Sequence, residues 1–202
     1  SQGLGNTSTF SLWWIFPAIY FGGVVFRMVI LIREAVTIRR LYISSHRQKE
    51  TGFTLLFGEH ILRPFSFFHF IFLGEEMNAD KRKYTISHES AHVTGHHSLD
   101  NLLFELAKIL LWFHPCIYLY KQYLNEVHEY LADQEVIRQS ESKKPYAHFL
   151  LENACEPDGR HLMLGLSNKL ITKRIIMLSK PSLPPINYLY TLLLIPLGVL
   201  SF

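Results

Sequence analysis

Two histidines and a glutamate near the middle of the chain have the spacing of a zinc site. His88 and His92 are four residues apart, and Glu89 follows the first of them. On a helix, residues i and i+4 lie one above the other, so both imidazoles would project from one face. Such a pair can supply two ligands of a tetrahedral Zn²⁺ and leaves Glu89 beside the metal, placed to take a proton from water. The pattern predicts the core of a hydrolytic zinc site, on a helix that Ser87 would cap.

A third ligand is needed, because the same letters can occur by chance on a solvated helix. Glu129 and Asp133 are again four residues apart, on a stretch with the pattern of a helix. Glu129 would complete a His₂Glu set and leave one coordination position for water. Asp133, one turn further on, is placed to accept the free N–H of a ligand histidine and so to fix its tautomer. An ordinary charged helix face would carry the same two residues, but their combination with the histidine pair favours a metal site.

The neighbouring polar residues receive weaker assignments. His96 extends the histidine face by one turn and is a rival to Glu129, although three ligands on one straight helix spread too far for one ion. His97 is predicted to point elsewhere. Asp100 is predicted to cap the next helix or to support a ligand. His128 is predicted to stabilise an oxyanion in the transition state.

The motif of residues 88–92, followed by that of residues 129–133, resembles the gluzincin pattern of integral-membrane metallopeptidases. The surrounding sequence resembles the BlaR/MecR-type antirepressor metallopeptidases, and among them it is most similar to the Bacteroidetes-like members. One departure is His114, where that family more often has Asn. The segments that carry the resemblance are residues 64–68, 97–100, 105–106, 111–115, 128–133 and 173–178.

The resemblance implies a function and a cellular location. It implies one catalytic Zn²⁺ and hydrolysis of a cytosolic protein, either a transcriptional repressor or the enzyme's own chain, when an outer sensor reports a signal. It implies a multi-pass protein of the bacterial inner membrane with its active site on the cytoplasmic side. It also implies further transmembrane helices before this stretch and a sensor domain after it, so the chain is expected to be the middle of a longer protein.

Composition agrees with membrane segments. Hydrophobic residues make up 49% of the chain and aromatic residues 14%, against 18% charged residues, which is unusual for a soluble enzyme. A formal charge of +3 is too small to indicate direct binding of nucleic acid. Two cysteines, Cys116 and Cys155, form neither a disulfide framework nor a CxxC metal pair.

The predicted fold class is α+β, mainly α: a gluzincin-like domain with a small β-sheet or hairpin, flanked by transmembrane helices. Residues 10–32 are an apolar run long enough to span a bilayer. The arginines that follow mark the cytoplasmic side, so residues 33–185 are predicted to form a cytoplasmic zinc metallopeptidase domain. Residues 186–202 are a second apolar run, predicted to be a truncated transmembrane helix.

Residues 102–120 have the length of a span but cannot cross the membrane completely. A crossing there would place Glu129 on the opposite side from the two histidines. The segment is therefore predicted to be a buried or membrane-dipping helix, kinked near Pro115, in which Glu105 and Lys108 pair with each other. Further on, Lys173 and Arg174 are predicted to lie near the inner membrane surface.

Residues 53–57 and 65–73 are short aromatic runs predicted to be strands. The second begins with Phe65, Ser66, Phe67 and Phe68. It could be the edge that holds an extended peptide substrate by backbone pairing. A buried strand, or a segment packed on the membrane surface, would have the same composition.

Three functions remain open from the sequence. The favoured one is a membrane zinc endopeptidase that acts in signalling. The second is a broad membrane quality-control or CAAX-type gluzincin protease. The third is a non-catalytic signal transducer that binds zinc only to fold. Glu89 argues against the third, because a purely structural zinc site needs no base and usually has four protein ligands.

Overall fold

A computed structural model describes residues 12–75, 77–140, 142–155 and 164–178. Within these residues the chain is mainly helical, with one small mixed sheet, which confirms the predicted α+β, mainly α class. Residues 186–202, predicted as a second span, lie outside the described part. A single 3₁₀ turn, Leu12–Trp14, precedes the regular elements, which are α1 (Ile15–Ser44), β1 (His46–Lys49), β2 (Thr54–Phe57), β3 (Phe65–Phe67), β4 (Phe70–Leu73), α2 (Ala79–Thr94), α3 (His97–Leu110), α4 (Pro115–Gln139), α5 (Lys143–Cys155) and α6 (Leu164–Leu178).

Helix α1 has two halves with different surroundings. Among the described helices it is the one long and apolar enough to cross a membrane, by length and composition, and its apolar window is not buried in the protein. It continues well past residue 32, where the predicted span ends, as far as Ser44. The extension is explained by Ile38 and Leu41, which lie three residues apart on one helix face and pack on the sheet.

The four-stranded sheet lies between α1 and α2. Its order is β1-β2-β4-β3, with β2 and β4 parallel and the other pairs antiparallel. Successive side chains of a strand point to opposite faces. Leu55 and Ile71 therefore pack toward Ile86 of α2, whereas Leu56 and Phe72 belong to the cluster that contacts α1. Both faces are covered, which explains the near-continuous apolar runs of β2 and β4.

Residues 65–73 form a hairpin and not the single predicted strand. Strands β3 and β4 are joined by Phe68 and His69, and Phe67 pairs with Phe70. The first residue of such a two-residue turn needs a positive φ, which glycine usually supplies. Phe68 adopts it, with φ of 52°, and its N–H donates to Ser98 Oγ at 2.9 Å. The prediction failed because no Gly or Asn marks the turn.

Helix α2 begins at Ala79, well before Ser87, so the predicted cap at Ser87 is wrong. Ser87 lies inside the helix, and its hydroxyl donates to Gln139 Oε1 of α4 at 2.9 Å. The residues before Ser87 include lysines and an arginine, which are good helix formers and extend the helix.

Residues 102–120 form parts of two helices and not one kinked helix. Helix α3 ends at Leu110, and α4 begins at Pro115, which suits a first helical position because proline has no N–H to leave unpaired there. The two helices run antiparallel, since Lys108 lies over the Tyr118 ring near the turn, and Asp100, earlier on α3, contacts His128, further along α4. The predicted pairing of Glu105 with Lys108 is confirmed, with both carboxylate oxygens within 2.8 Å of Nζ.

Helices α5 and α6 close a second core against α4. Val136, Tyr146 and Phe149 are buried in it together with Leu178. This packing turns Arg174 inward, where its side chain is only 13% exposed. The guanidinium therefore faces α4, while the predicted position of this helix near the inner membrane surface stays a prediction.

Candidate metal centre

The three predicted ligands converge on one point between α2 and α4. His88 Nε2 lies 3.2 Å from His92 Nε2 and 3.5 Å from Glu129 Oε2, and His92 Nε2 lies 3.6 Å from Glu129 Oε1. Ligands at roughly 2.0–2.1 Å from a tetrahedral Zn²⁺ are about 3.3 Å apart. The three donor atoms therefore fit one zinc ion without rearrangement of the helices.

His88 is oriented by two residues on the side away from the other ligands. Its Nδ1 lies 2.9 Å from Tyr146 Oη and 3.3 Å from Asp133 Oδ1, and Tyr146 donates to the same Asp133 oxygen at 2.7 Å. Such a partner holds the imidazole with Nε2 free for a metal. Asp133 thus lies where the spacing predicted it. Tyr146 was missed, because it belongs to α5 and no local pattern links it to the histidines.

Arg174 of α6 binds two carboxylates of this site. Its Nε and Nη2 donate to the two oxygens of Asp133 at 2.8 and 2.6 Å, and its Nη1 lies 2.8 Å from Glu129 Oε2. A bidentate guanidinium–carboxylate pair fixes direction as well as charge. Arg174 therefore holds both carboxylates in position. No local pattern indicates this contact, since the apolar residues around Arg174 suggested a cation at the membrane surface.

A different residue, His97, contacts the ring nitrogen of His92 that faces away from the metal position. The placement of His97 and His96 corrects two predictions. His97 does not point elsewhere: its Nδ1 lies 2.7 Å from His92 Nδ1. With a metal on His92 Nε2, His92 Nδ1 would carry the hydrogen and His97 Nδ1 would accept it. His96 does not extend the histidine face, because α2 ends at Thr94 and His96 takes a left-handed conformation, with φ of 57°.

A sharp turn between α2 and α3 brings His97 back to His92. A Cβ added at Gly95 would lie 2.6 Å from His97 Nε2 and 3.1 Å from the Ala91 carbonyl oxygen. Only glycine therefore leaves room for the imidazole at this turn. Gly95 is the one sequence signal that could have revealed the reversal of the chain.

His128 and Asp100 form a layer behind His97. The His128 and His97 rings stack at 3.9 Å, with 7° between their planes, and His128 Nε2 lies 3.1 Å from Asp100 Oδ2. Asp100 is in the first turn of α3 and is not its cap, which is His96. These contacts support His97, while the predicted oxyanion role of His128 stays a prediction.

The charges of the site respond to one another. Burial lowers the pKa of His88, but its hydrogen bonds to Asp133 and Glu129 outweigh burial and raise that pKa to about 9. Burial and the nearby charge of His88 lower the pKa of His92 to about 4. Because the two imidazoles are so close, protonation of His88 disfavours protonation of His92. Against the effect of burial, the hydrogen bond from His88 and the charge of Arg174 lower the pKa of Glu129 to about 2.

Glu89 is buried beside the candidate ligands, and it is not one of the residues that orient His88 or His92. Burial raises the pKa of its carboxyl, while the positive charge of His88 and a hydrogen bond with Ser66 oppose that rise. Ser66 lies on β3, which is an edge strand of the described sheet. A carboxyl with a raised pKa beside a metal position suits proton transfer near neutral pH. Through its hydrogen bond with Ser66, Glu89 also connects the edge strand β3 to the candidate metal centre.

Comparison with known proteins identifies the family. The family model described as BlaR1 peptidase M56 matches residues 68–178, which is more than half of the chain. The chain belongs to this family. The match begins in the turn of the hairpin and ends with α6, so it includes all three candidate ligands and Arg174. Membership of the M56 family implies peptidase activity and agrees with the BlaR/MecR-type resemblance.

Curated relatives share a shorter stretch. The chain is 33% identical over 64 residues to methicillin resistance mecR1 proteins of Staphylococcus aureus, including strain Mu50, and of Staphylococcus epidermidis. The aligned stretch is 32% of this chain and 11% of each relative. The chain therefore covers a small part of the relatives' length.

Replacing His97 should weaken zinc binding by this M56 chain without removing a ligand. For His97→Ala we expect zinc affinity to fall by about 10- to 100-fold, because His92 Nδ1 loses its acceptor. The measurement is zinc competition with a chromophoric chelator on the detergent-purified protein. The matched control is His96→Ala, since that neighbouring imidazole is exposed and lies 2.8 Å from the Thr94 carbonyl oxygen. Equal affinities for the two variants would contradict the support assigned to His97.

Proposed function

We propose that this chain is the catalytic part of a membrane-embedded, zinc-dependent endopeptidase of the gluzincin type that acts in transmembrane signalling. The observation that carries the proposal is the convergence of the His88, His92 and Glu129 donor atoms within the distances of one tetrahedral ion. Membership of the M56 peptidase family supports it independently.

Each residue of the centre has a role in the proposed hydrolysis. A zinc ion held by the three ligands would polarise the scissile carbonyl and make a water molecule more acidic. Glu89 takes a proton from the attacking water and later passes it to the leaving amine. Asp133 and Tyr146 keep His88 in one tautomer, and the two Glu129 oxygens remain turned toward the imidazoles.

Strand β3 is proposed to bind the substrate. It is an edge of the described sheet, so an extended peptide can add to it by backbone hydrogen bonds. Ser66 of this strand is hydrogen-bonded to Glu89, so the strand lies next to the proposed catalytic base. Phe65 and Phe67 flank Ser66 on the strand, and Phe68 follows in the turn. A peptide on this edge would pass the metal position. The proposed substrate is a cytosolic protein, either a repressor or the chain itself.

Membrane attachment is proposed through α1, with the metal centre on the cytoplasmic side of a bacterial inner membrane. The apolar half of α1 is followed by the arginine-rich half that packs on the sheet, which agrees with the positive-inside rule. Cysteines introduced at Lys83 and Gln139 should then label from the same side of the membrane. Labelling of the two from opposite sides would contradict this topology.

The ligand assignment predicts the metal content of single variants. Wild type should hold about one zinc per chain, while His92→Ala and Glu129→Ala should lose most of it, because two protein ligands bind zinc far more weakly than three. Metal analysis after dialysis measures this. Glu135→Ala, on the same helix as Glu129 but paired with Arg138, is the control and should keep its zinc. Full zinc content in Glu129→Ala would refute the His₂Glu centre.

A further inference from the structure

The turn between α3 and α4, with the ends of both helices, packs against the apolar half of α1. We propose that this corner, residues 106–119, is inserted among lipid acyl chains to about the middle of the bilayer, as a re-entrant hairpin that does not cross. The inference rests on the membrane attachment proposed for α1. It commits to one of the two alternatives that the sequence left open for this segment, burial in the domain or dipping into the membrane.

Contacts with α1 fix the depth of the corner. Trp112 Nε1 donates to the Tyr20 carbonyl oxygen at 3.2 Å, and Tyr20 Oη donates to the Leu110 carbonyl oxygen at 3.1 Å. A Cβ built at Gly23 would overlap the Trp112 indole, so the ring lies directly on the helix backbone there. Gly23 precedes Arg33 by ten residues, which is about 15 Å along a helix and half of a hydrocarbon layer of about 30 Å.

The outward surface of the corner is apolar. Leu99, Leu103, Leu106 and Leu110 recur at helical spacing on α3, and all four are exposed, Leu103 by 61% and Leu110 by 60%. The stripe covers about 16 Å along the helix axis, close to the depth that α1 indicates. Exposed Phe113 continues this surface beyond the end of α3. Such a patch on a soluble domain would be a liability, whereas acyl chains would cover it.

Three successive backbone carbonyls of the turn have internal partners. The Leu110 carbonyl accepts from Tyr20, the Leu111 carbonyl accepts from the His114 N–H at 2.9 Å, and the Trp112 carbonyl accepts from Tyr118 Oη at 2.8 Å. In hydrocarbon an unpaired peptide group costs several kcal/mol, whereas a turn in water can leave such groups to the solvent. The three successive carbonyls therefore favour an apolar surrounding.

Charged groups of the corner also face protein partners. Lys108 Nζ is bound by both oxygens of Glu105, and Arg27 of α1 donates to Tyr118 Oη while lying over its ring at 5.0 Å. Ionisable residues at membrane depth are normally paired in this way. These charges are thus compatible with insertion beside α1.

The native tryptophans provide the test. The chain has three, and Trp13→Phe combined with Trp14→Phe leaves Trp112 alone. We would reconstitute this variant in phosphatidylcholine vesicles whose acyl chains carry bromine at graded depths. Insertion predicts that deep bromines quench most of the Trp112 fluorescence and that aqueous acrylamide quenches little. The water control is His148→Trp in a tryptophan-free background, since the His148 side chain is 73% exposed on α5.

Each other outcome overturns the inference in a recognisable way. Quenching of Trp112 by acrylamide alone places the corner in water, and protection from both quenchers means that protein covers it. The Trp112→Phe variant keeps Trp13 and Trp14 as reporters of α1. If bromine quenches those two but not Trp112, only the inference fails. If bromine quenches none of them, the proposed attachment through α1 fails as well.

Two further variants guard against shielding of the reporter by α1. Phe113→Trp in a background without other tryptophans repeats the measurement at a residue that is 58% exposed. Gly23→Leu should displace the Trp112 indole and change its depth, whereas Gly22→Leu should not, because nothing lies within 4 Å of a Cβ at Gly22. Equal quenching of Trp112 in the two glycine variants would contradict the contact that sets the depth.

Discussion

Glu89→Gln is expected to keep zinc and fold while peptide hydrolysis falls by about 10²- to 10⁴-fold. The amide preserves the shape of a buried side chain but cannot take a proton from the attacking water. It can still form a hydrogen bond with Ser66, so the edge strand should stay in place. The measurement is cleavage of candidate cytosolic repressors by purified protein in detergent, with zinc content determined on the same samples.

Glu135→Gln is the matched control for that experiment. It makes the same change of Glu to Gln at a carboxylate of α4 that binds Arg138 at 2.6 Å and is not one of the three candidate ligands. Activity should be unchanged. Loss of zinc in Glu89→Gln would mean that Glu89 helps to hold the metal. Full activity in Glu89→Gln would remove it as the base and reopen the non-catalytic alternative.

Arg174→Met should cause the largest loss of stability in the metal-free protein. Removing the guanidinium leaves His88 as the remaining cation beside the buried Asp133 and the half-buried Glu129, and breaking a buried ion pair typically costs about 3–5 kcal/mol of unfolding free energy. Zinc should restore part of the loss, because the metal takes over the charge of Glu129. The measurement is thermal unfolding in detergent, with and without zinc.

Lys173→Met is the neighbouring control for Arg174→Met. Lys173 binds Glu126 at 2.8 Å; the Glu126 side chain is only 9% exposed, but the Lys173 side chain is half exposed, so its loss should cost less than the loss of the buried guanidinium. Lys173→Met should lower the unfolding temperature only slightly, whether or not zinc is present. If Arg174→Met behaves like Lys173→Met, the contacts of Arg174 with Asp133 and Glu129 contribute no more to stability than the contact of Lys173 does. That outcome would contradict the stabilising role assigned to Arg174.

The candidate ligand set could be located in the sequence because its information is local. His88 with His92, and Glu129 with Asp133, are pairs one helical turn apart, and helix periodicity alone puts each pair on one face. The sequence could also indicate a mainly helical chain with a small sheet, since apolar aromatic runs between Gly and Pro residues mark short strands.

The supporting residues could not be predicted because they depend on how helices pack. Tyr146 and Arg174 reach the site only through the docking of α5 and α6, and nothing in their local sequence distinguishes them. His97 depends on a reversal of the chain at Gly95, where a continuing helix would have carried it away from His92. The turn at Phe68 could not be predicted for a related reason. Its positive φ is imposed by the pairing of β3 with β4 and by the hydrogen bond to Ser98, and not by a residue type that favours turns.

In the proposed membrane position, the unbroken course of α1 would limit which substrates the active site can cut. Ile38, which packs on the sheet, follows Arg33 by only five residues, or about 8 Å of helix. In the proposed membrane position the sheet, and with it the edge strand beside Glu89, therefore lies close under the lipid headgroups. A folded globular protein cannot bring its interior to such a place. We therefore expect the proposed active site to accept an unfolded segment, such as an exposed linker or tail, that can lie extended along the membrane surface.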